Sequence, residues 1–270
     1  MQSWVPHDTA TGVKGLTQLL TSLGVNAVPA VGWFFEGWSS GTTLATYWFE
    51  NVAASLFLAL KILLHRRLVP CRGHFKYVAR AEAKRGPSGT YLSAFLPFSL
   101  IFSAAHGIFL AAIIGMLTAK GKGDLVGLDW HSLGVGCGLV LVFLTLDFLL
   151  DLPGLKNKTF FWIEQKADAN MLRVAVVHLV IIFGMFAVAM TGSNQALFAV
   201  FVVLKTMCDL STVLPQWNPE EPPKWLCKLM DKVPSAQEYK GLTFAEFWRK
   251  DKQEEIARRL ANEKPWFAAK

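Results

Sequence analysis

The chain has 270 residues, of which 53% are apolar, 13% aromatic and only 17% charged, with a formal charge of +7. Soluble domains carry about a quarter charged residues and no long apolar runs, so disordered, collagen-like and ordinary soluble classes are excluded. What remains is an all-α, polytopic transmembrane helical bundle.

A helix rises about 1.5 Å per residue and needs about 20 mostly apolar residues to cross the hydrocarbon core. Six segments approach that length, at 16–33, 42–64, 92–117, 132–152, 173–191 and 195–214. The first is the weakest, because Gln18, Thr21, Ser22 and Asn26 interrupt it and Pro29 removes a backbone donor. Behind Lys14 it could be read as a signal-peptide core, but it is too long and too polar for one.

Lysine and arginine mark the cytoplasmic side of each span. The stretch 65–91 holds seven of them (Arg66, Arg67, Arg72, Lys76, Arg80, Lys84 and Arg85), and the chain after Leu214 holds eleven. The loop after the fourth span adds Lys156, Lys158 and Lys166, with Arg173 expected at the membrane edge, whereas the opposite side has only Lys120 and Lys122. Six spans with both termini in the cytoplasm satisfy this count. Residues 1–214 then form the bundle and 215–270 a basic cytoplasmic tail. The positive charge is explained by this bias and by attraction to anionic lipid headgroups, and gives no support for a nucleic-acid partner.

Trp33, Trp38, Tyr47, Trp48 and Trp130 fall at the outer ends of spans, where amphipathic rings prefer to sit. Gly134 and Gly138 have the Gly-x-x-x-Gly spacing that lets helices approach closely, and internal packing is the expected use. Cys71 and Cys227 lie on the reducing side and Cys137 and Cys208 within spans, which argues against a disulfide framework. Cys71 and His74 form a Cys-x-x-His pair that would begin a zinc site only if His65 and Cys227 came near. In the tail, Trp225, Leu226, Leu229, Met230 and Val233 form an apolar stripe flanked by Lys224, Lys228 and Lys232, the pattern of a helix lying on the membrane surface. Thr243 and Glu246 have capping-box spacing for a second, highly charged helix to about Asn262. A solvated face suits that charge, and docking of a protein partner is the alternative.

Ionisable groups inside spans are costly and usually face the bundle interior. Counted by helix rise, Glu50 and Asn51 lie about 12 Å and His106 about 17 Å below the outer edge, depths compatible with contact. A carboxylate and an imidazole there can bind a cation, hold a metal with a further ligand or pass a proton. A buried hydrogen bond that only fixes helix register is the plain alternative. Asp147, His178 and Asp209 form an inner layer, each about 8 Å from the inner edge. Lys205, one turn from Asp209, can neutralise it, and Lys61 sits on the Glu50 face near the cytoplasmic end, within snorkelling reach of the headgroups. His106 and His178 differ by about 10 Å in depth, too much for shared haem ligation. The chain holds no Gly-x-Ser-x-Gly, His-Glu-x-x-His or Walker motif. No repeat or inverted pair of half-sequences of the transporter kind is visible either.

The segment Tyr47-Trp48-Phe49-Glu50-Asn51, the stretch His106-Gly107-Ile108-Phe109 and Lys205 through Asp209-Leu210 resemble an uncharacterised family of bacterial integral membrane proteins, a domain of unknown function. The resemblance runs from about Asn26 to Leu214. It implies a bacterial inner-membrane location and carries no activity, cofactor or site assignment. The residues themselves suggest a binding or transport protein whose polar interior comprises Glu50, Asn51, His106, Asp147, His178, Lys205 and Asp209. The alternatives are a structural or accessory subunit with a partner-recruiting tail, or a metal-dependent membrane enzyme.

Overall fold

The computed structural model describes residues 12–80, 89–119, 121, 126–191, 204, 207, 219–232 and 241–266, except for the side chains of 12–19, 22 and 176–191. Among them the helices are α1 (Gly12–Phe34), α2 (Ser40–Leu68), α3 (Arg72–Phe75), α4 (Tyr91–Ala119), α5 (Trp130–Asp151), α6 (Phe160–Thr191), α7 (Lys224–Met230) and α8 (Phe244–Glu263). A short 3-10 segment, Leu152–Asn157, links α5 to α6. The described residues form no strand, only an isolated bridge between Cys71 and Pro265.

Three described stretches are long and apolar enough to cross a membrane: Ser40–Leu68, Tyr91–Ala119 and Trp130–Asn157. Leu23–Phe34 is a shorter apolar stretch. The sixth apolar segment, 195–214, lies outside the described residues apart from Leu204 and Met207. Large apolar side chains turn outward, such as Ile108 on α4, 72% exposed, and Val142 on α5, 54% exposed. An apolar exterior over a polar interior is the pattern that lipid solvates.

Side-chain pairs fix how the helices run. Trp48 of α2 donates to the Ser103 carbonyl and Ser55 meets Ser99 across 2.7 Å, so residue numbers rise on α2 as they fall on α4: the two are antiparallel. Glu50 faces Arg173, and Asn170 donates to Ser55, so α6 is also antiparallel to α2. Lys61 reaches Asp147 and Asp151 while Phe57 packs on Phe148, a constant offset that makes α5 parallel to α2. Thr21 against Asp147, and Gly24 against the Phe143 ring, make α1 antiparallel to α5. Helix α2 is therefore the central element, touching α1, α4, α5 and α6.

The ends of α2 are set by local chemistry. Ser39 accepts from the Thr42 amide as N-cap. Gly41 is required there, because a Cβ would stand 2.0 Å from the Val126 carbonyl oxygen. Asp129 caps α5 by accepting from the His131 amide. Of the three glycines opening α5, Gly136 is the one used in packing, under the Trp38 ring. A Cβ at Gly134 or Gly138 meets nothing within 4 Å among the described residues.

The aromatic belt is likewise uneven. Trp130 is 74% exposed, but Tyr47 is buried at 1% and Trp48 turns its indole N–H into the α2–α4 contact. Two apolar cores result. One joins Val25 and Val28 of α1 to Ala53 and Ala54 of α2 and Val140 and Leu144 of α5. The other closes the end away from the α1–α2 turn, where Leu58 and Ile62 meet Tyr91, Phe95, Leu155, Phe160 and Ile163.

Candidate functional site

A polar seam runs down one side of α2. Tyr47, Glu50, Asn51, Ser55, Lys61 and His65 are all buried on it. The buried stripe of α4, Tyr91, Phe95, Ser99, Ser103, His106, Leu110 and Ile113, recurs every three or four residues and presents its polar members to that side.

At the upper level, Glu50 is fully buried, with Arg173 Nη1 3.8 Å from Oε1. The α2–α4 register sets Asn51 opposite Ser103, to within about one turn, with His106 one turn further on. The sequence-predicted trio of Glu50, Asn51 and His106 is thus brought to one region of the interior, and all three are buried. Arg173, expected at the membrane edge, is instead level with Glu50, because α6 starts at Phe160 and carries Arg173 more than three turns inward. Both ends of the Asn51 amide and the Ser103 hydroxyl are buried without a hydrogen bond among the described residues. Just below, Ser55, Ser99 and Asn170 form a closed hydrogen-bonded group.

At the lower level Lys61 donates 2.8 Å to Asp147 and 2.6 Å to Asp151, with Thr21 3.5 Å from the other Asp147 oxygen. The companions expected for Asp147 are His178, Lys205 and Asp209. His178 lies on α6 with its side chain outside the described residues, and Lys205 and Asp209 lie outside them altogether. Lys61 therefore ties helices together and does not snorkel outward, and Asp151, which the sequence reading passed over, is its second acceptor. The available signal was the i, i+4 spacing of Asp147 and Asp151, which puts both carboxylates on one face.

A third polar group closes the neighbouring end of the bundle. His65 Nδ1 and His74 Nε2 are 2.8 Å apart, and His65 Nε2 lies 3.0 Å from the Lys158 carbonyl. Burial, and then the nearby His65 and Arg66, push the His74 imidazole down to about 3, so it stays neutral. Burial likewise pushes the Cys71 thiol up to about 12. His65 does approach the Cys71–His74 pair, but its ring is engaged by His74, and no three His, Cys, Asp or Glu groups converge on a metal position among the described residues.

Helix α8 docks on this end. Arg258, 9% exposed, donates to Glu164 of α6 at 2.7 Å, to Glu255 and to the Val78 carbonyl. Burial opposes its charge, but the bonds to Glu255 and Glu164 outweigh that and hold the guanidinium above its usual range. Asn262, fully buried, both accepts from the Val78 amide and donates to its carbonyl. Beyond α8, the Arg72 amide donates to the Lys264 carbonyl, the Trp266 amide to the Pro70 carbonyl, and the Trp266 ring stacks on Phe75 at 5.1 Å. One face of the charged tail helix is thus occupied by its own chain. The capping box of Thr243 and Glu246 forms as its spacing predicts.

Paired interior charges among helices, three of them long and apolar enough to cross a membrane, define the class: an all-helical protein with candidate membrane spans. The chain belongs to DUF6498, a family of unknown function, whose model matches residues 14–224. That segment contains α2, α4, α5 and α6 with the polar seam, and α8 lies beyond it. No curated protein and no solved structure matches the chain.

Proposed function

We propose that this is a multi-pass protein of the bacterial inner membrane, with six spans and both termini cytoplasmic, that binds a small polar ligand or ion at the level of Glu50 and moves it through the bundle. The observation that carries the reading is the open hydrogen-bonding capacity at that level. An amide and a hydroxyl left unsatisfied in an interior cost about 1–3 kcal/mol each, unless something else satisfies them. They stand beside a carboxylate–guanidinium pair and an imidazole, so cationic, anionic and hydrogen-bonding contacts all converge on one place. The Lys61–Asp147–Asp151 group, by contrast, is internally neutralised to within one charge and serves to join α2 to α5.

The test is a thermal-stability survey of detergent-purified protein against monovalent and divalent cations and small zwitterionic and anionic solutes. A ligand that binds only the folded form raises Tm in proportion to the logarithm of its concentration. One solute class is expected to stabilise the wild type and to lose that effect in Asn51→Leu and Glu50→Gln. No stabilisation by any solute, together with a higher Tm for Asn51→Leu, would reject the site.

A second reading, an accessory subunit that recruits a protein, is favoured by one observation: Ile256 and Leu260, one turn apart on α8, are 47% and 44% exposed. Co-purification of a stoichiometric partner that disappears in Ile256→Ser/Leu260→Ser separates the two.

A further inference from the structure

None of the residues of α7 is buried. Trp225 is 66% exposed, Leu229 56% and Met230 36%, and Leu242 just before α8 is 40% exposed. At 100° per residue, Trp225, Leu226, Leu229 and Met230 share one arc of α7, and Lys224 and Lys228 border it, with Lys232 following one turn on. Asp231 points away from that arc and is spent on the neighbouring helix, accepting from the Phe244 amide at 2.7 Å. Glu220 and Glu221 precede the Pro222-Pro223 break and are off the helix.

The apolar face is held in place and is not a loose tail. The Asp231–Phe244 bond folds α7 against the start of α8, and Lys252 Nζ donates 2.8 Å to the Pro219 carbonyl. Helix α8 is itself pinned to the bundle end through Arg258 and Asn262. Pro219 lies only five residues after the sixth apolar segment, at most about 18 Å of chain. An amphipathic helix that is held near the end of an apolar segment, with lysines along one border, matches the chemistry of an anionic bilayer surface: aromatic and aliphatic groups enter the acyl boundary while the ammonium groups stay among phosphates.

We infer that α7 is an interfacial anchor that seats on anionic phospholipid through Trp225, Leu229 and Met230, with Lys224, Lys228 and Lys232 selecting for negative headgroups. The inference rests on the membrane placement proposed above but not on the ligand site. Nanodiscs present the same lipid on both faces, so the seat is tested whichever side the tail occupies. Sidedness is tested separately, by protease protection of the tail in inside-out vesicles.

The experiment is amide hydrogen exchange of residues 224–230 in full-length protein, in nanodiscs of phosphatidylcholine alone and of phosphatidylcholine with phosphatidylglycerol. A seven-residue helix without buried contacts frays freely, so seating is expected to slow its exchange by about tenfold in the anionic discs only. The triple variant Lys224→Glu/Lys228→Glu/Lys232→Glu should abolish that slowing, and Leu229→Ser should reduce it, with exchange in α2 unchanged as the folding control. Equal exchange in both lipids overturns the inference. So does protection in neutral discs that survives charge reversal, which would mark a seat indifferent to headgroup, and so does protection seen only with two copies per disc, which would assign the face to a second chain.

Discussion

Two buried asparagines show how differently the end and the middle of the bundle are built. Asn262, where α8 meets the bundle end, has its carbonyl oxygen and amide nitrogen both bonded to Val78, beside an arginine bonded to two carboxylates and a carbonyl. Asn51, in the middle of α2, is as deeply buried and bonds through neither end of its amide among the described residues. Saturated polar networks hold a fold in one arrangement, whereas open ones leave capacity for something else to fill. The bundle end is a lock, and the middle keeps unspent donors and acceptors among the described residues.

The sharpest way to break the lock is Arg258→Ala. It takes the guanidinium away from Glu164, 3% exposed, and removal of one member of a buried ion pair costs about 3–5 kcal/mol. Proteolysis near residue 244 and a lower Tm should report release of α8. Acid attacks the same end through His74. Its folded value, about 3, lies below the ordinary 6.5, so the unfolded chain takes up a proton that the folded one refuses. Stability contributed there is complete above pH 6.5 and falls as pH drops toward 3, by a few kcal/mol at most. A His74→Gln variant should flatten that part of the stability–pH curve.

Leucine substitutions at the two asparagines sharpen the contrast, because they should have opposite signs. Asn262→Leu leaves the Val78 amide unpaired, while its carbonyl keeps the Arg258 donor, and should destabilise by about 1–3 kcal/mol. Asn51→Leu removes an unsatisfied amide and should raise the Tm of ligand-free protein. Denaturation of the two variants side by side in one detergent decides it, and destabilisation by both would erase the distinction. The smallest effect is expected at the capping box, where Thr243→Ala should cost about 1 kcal/mol and loosen only the first turn of α8, visible as faster amide exchange there.

Sequence patterns reached the three helices long and apolar enough to cross a membrane and the burial of Glu50, Asn51 and His106, since apolar length and the cost of charge in hydrocarbon are properties of each segment alone. They also reached the start of α8, because a capping box is local. They missed the partners. That Lys61 would reach Asp147 and Asp151, that Arg173 would face Glu50, and that Glu164 would take Arg258 depend on register between helices distant in the chain, which no single-segment periodicity encodes. Arg173 was misplaced for a further reason. Hydropathy drew the fifth apolar segment to begin at that arginine, while the helix starts thirteen residues earlier and buries a charged, aromatic first half against α2, α4 and α8.

The position of Arg173 also bears on how the chain is made. A helix entering lipid with an arginine inside it meets an insertion penalty of about 2.5–3.5 kcal/mol for that residue, and α2 carries a comparable handicap in Glu50. Each charge lightens the other only once the two helices lie side by side, and 122 residues separate them in synthesis. In the proposed membrane placement, α2 would meet lipid with Glu50 lacking its guanidinium until α6 is made, and the later segment would complete the earlier one.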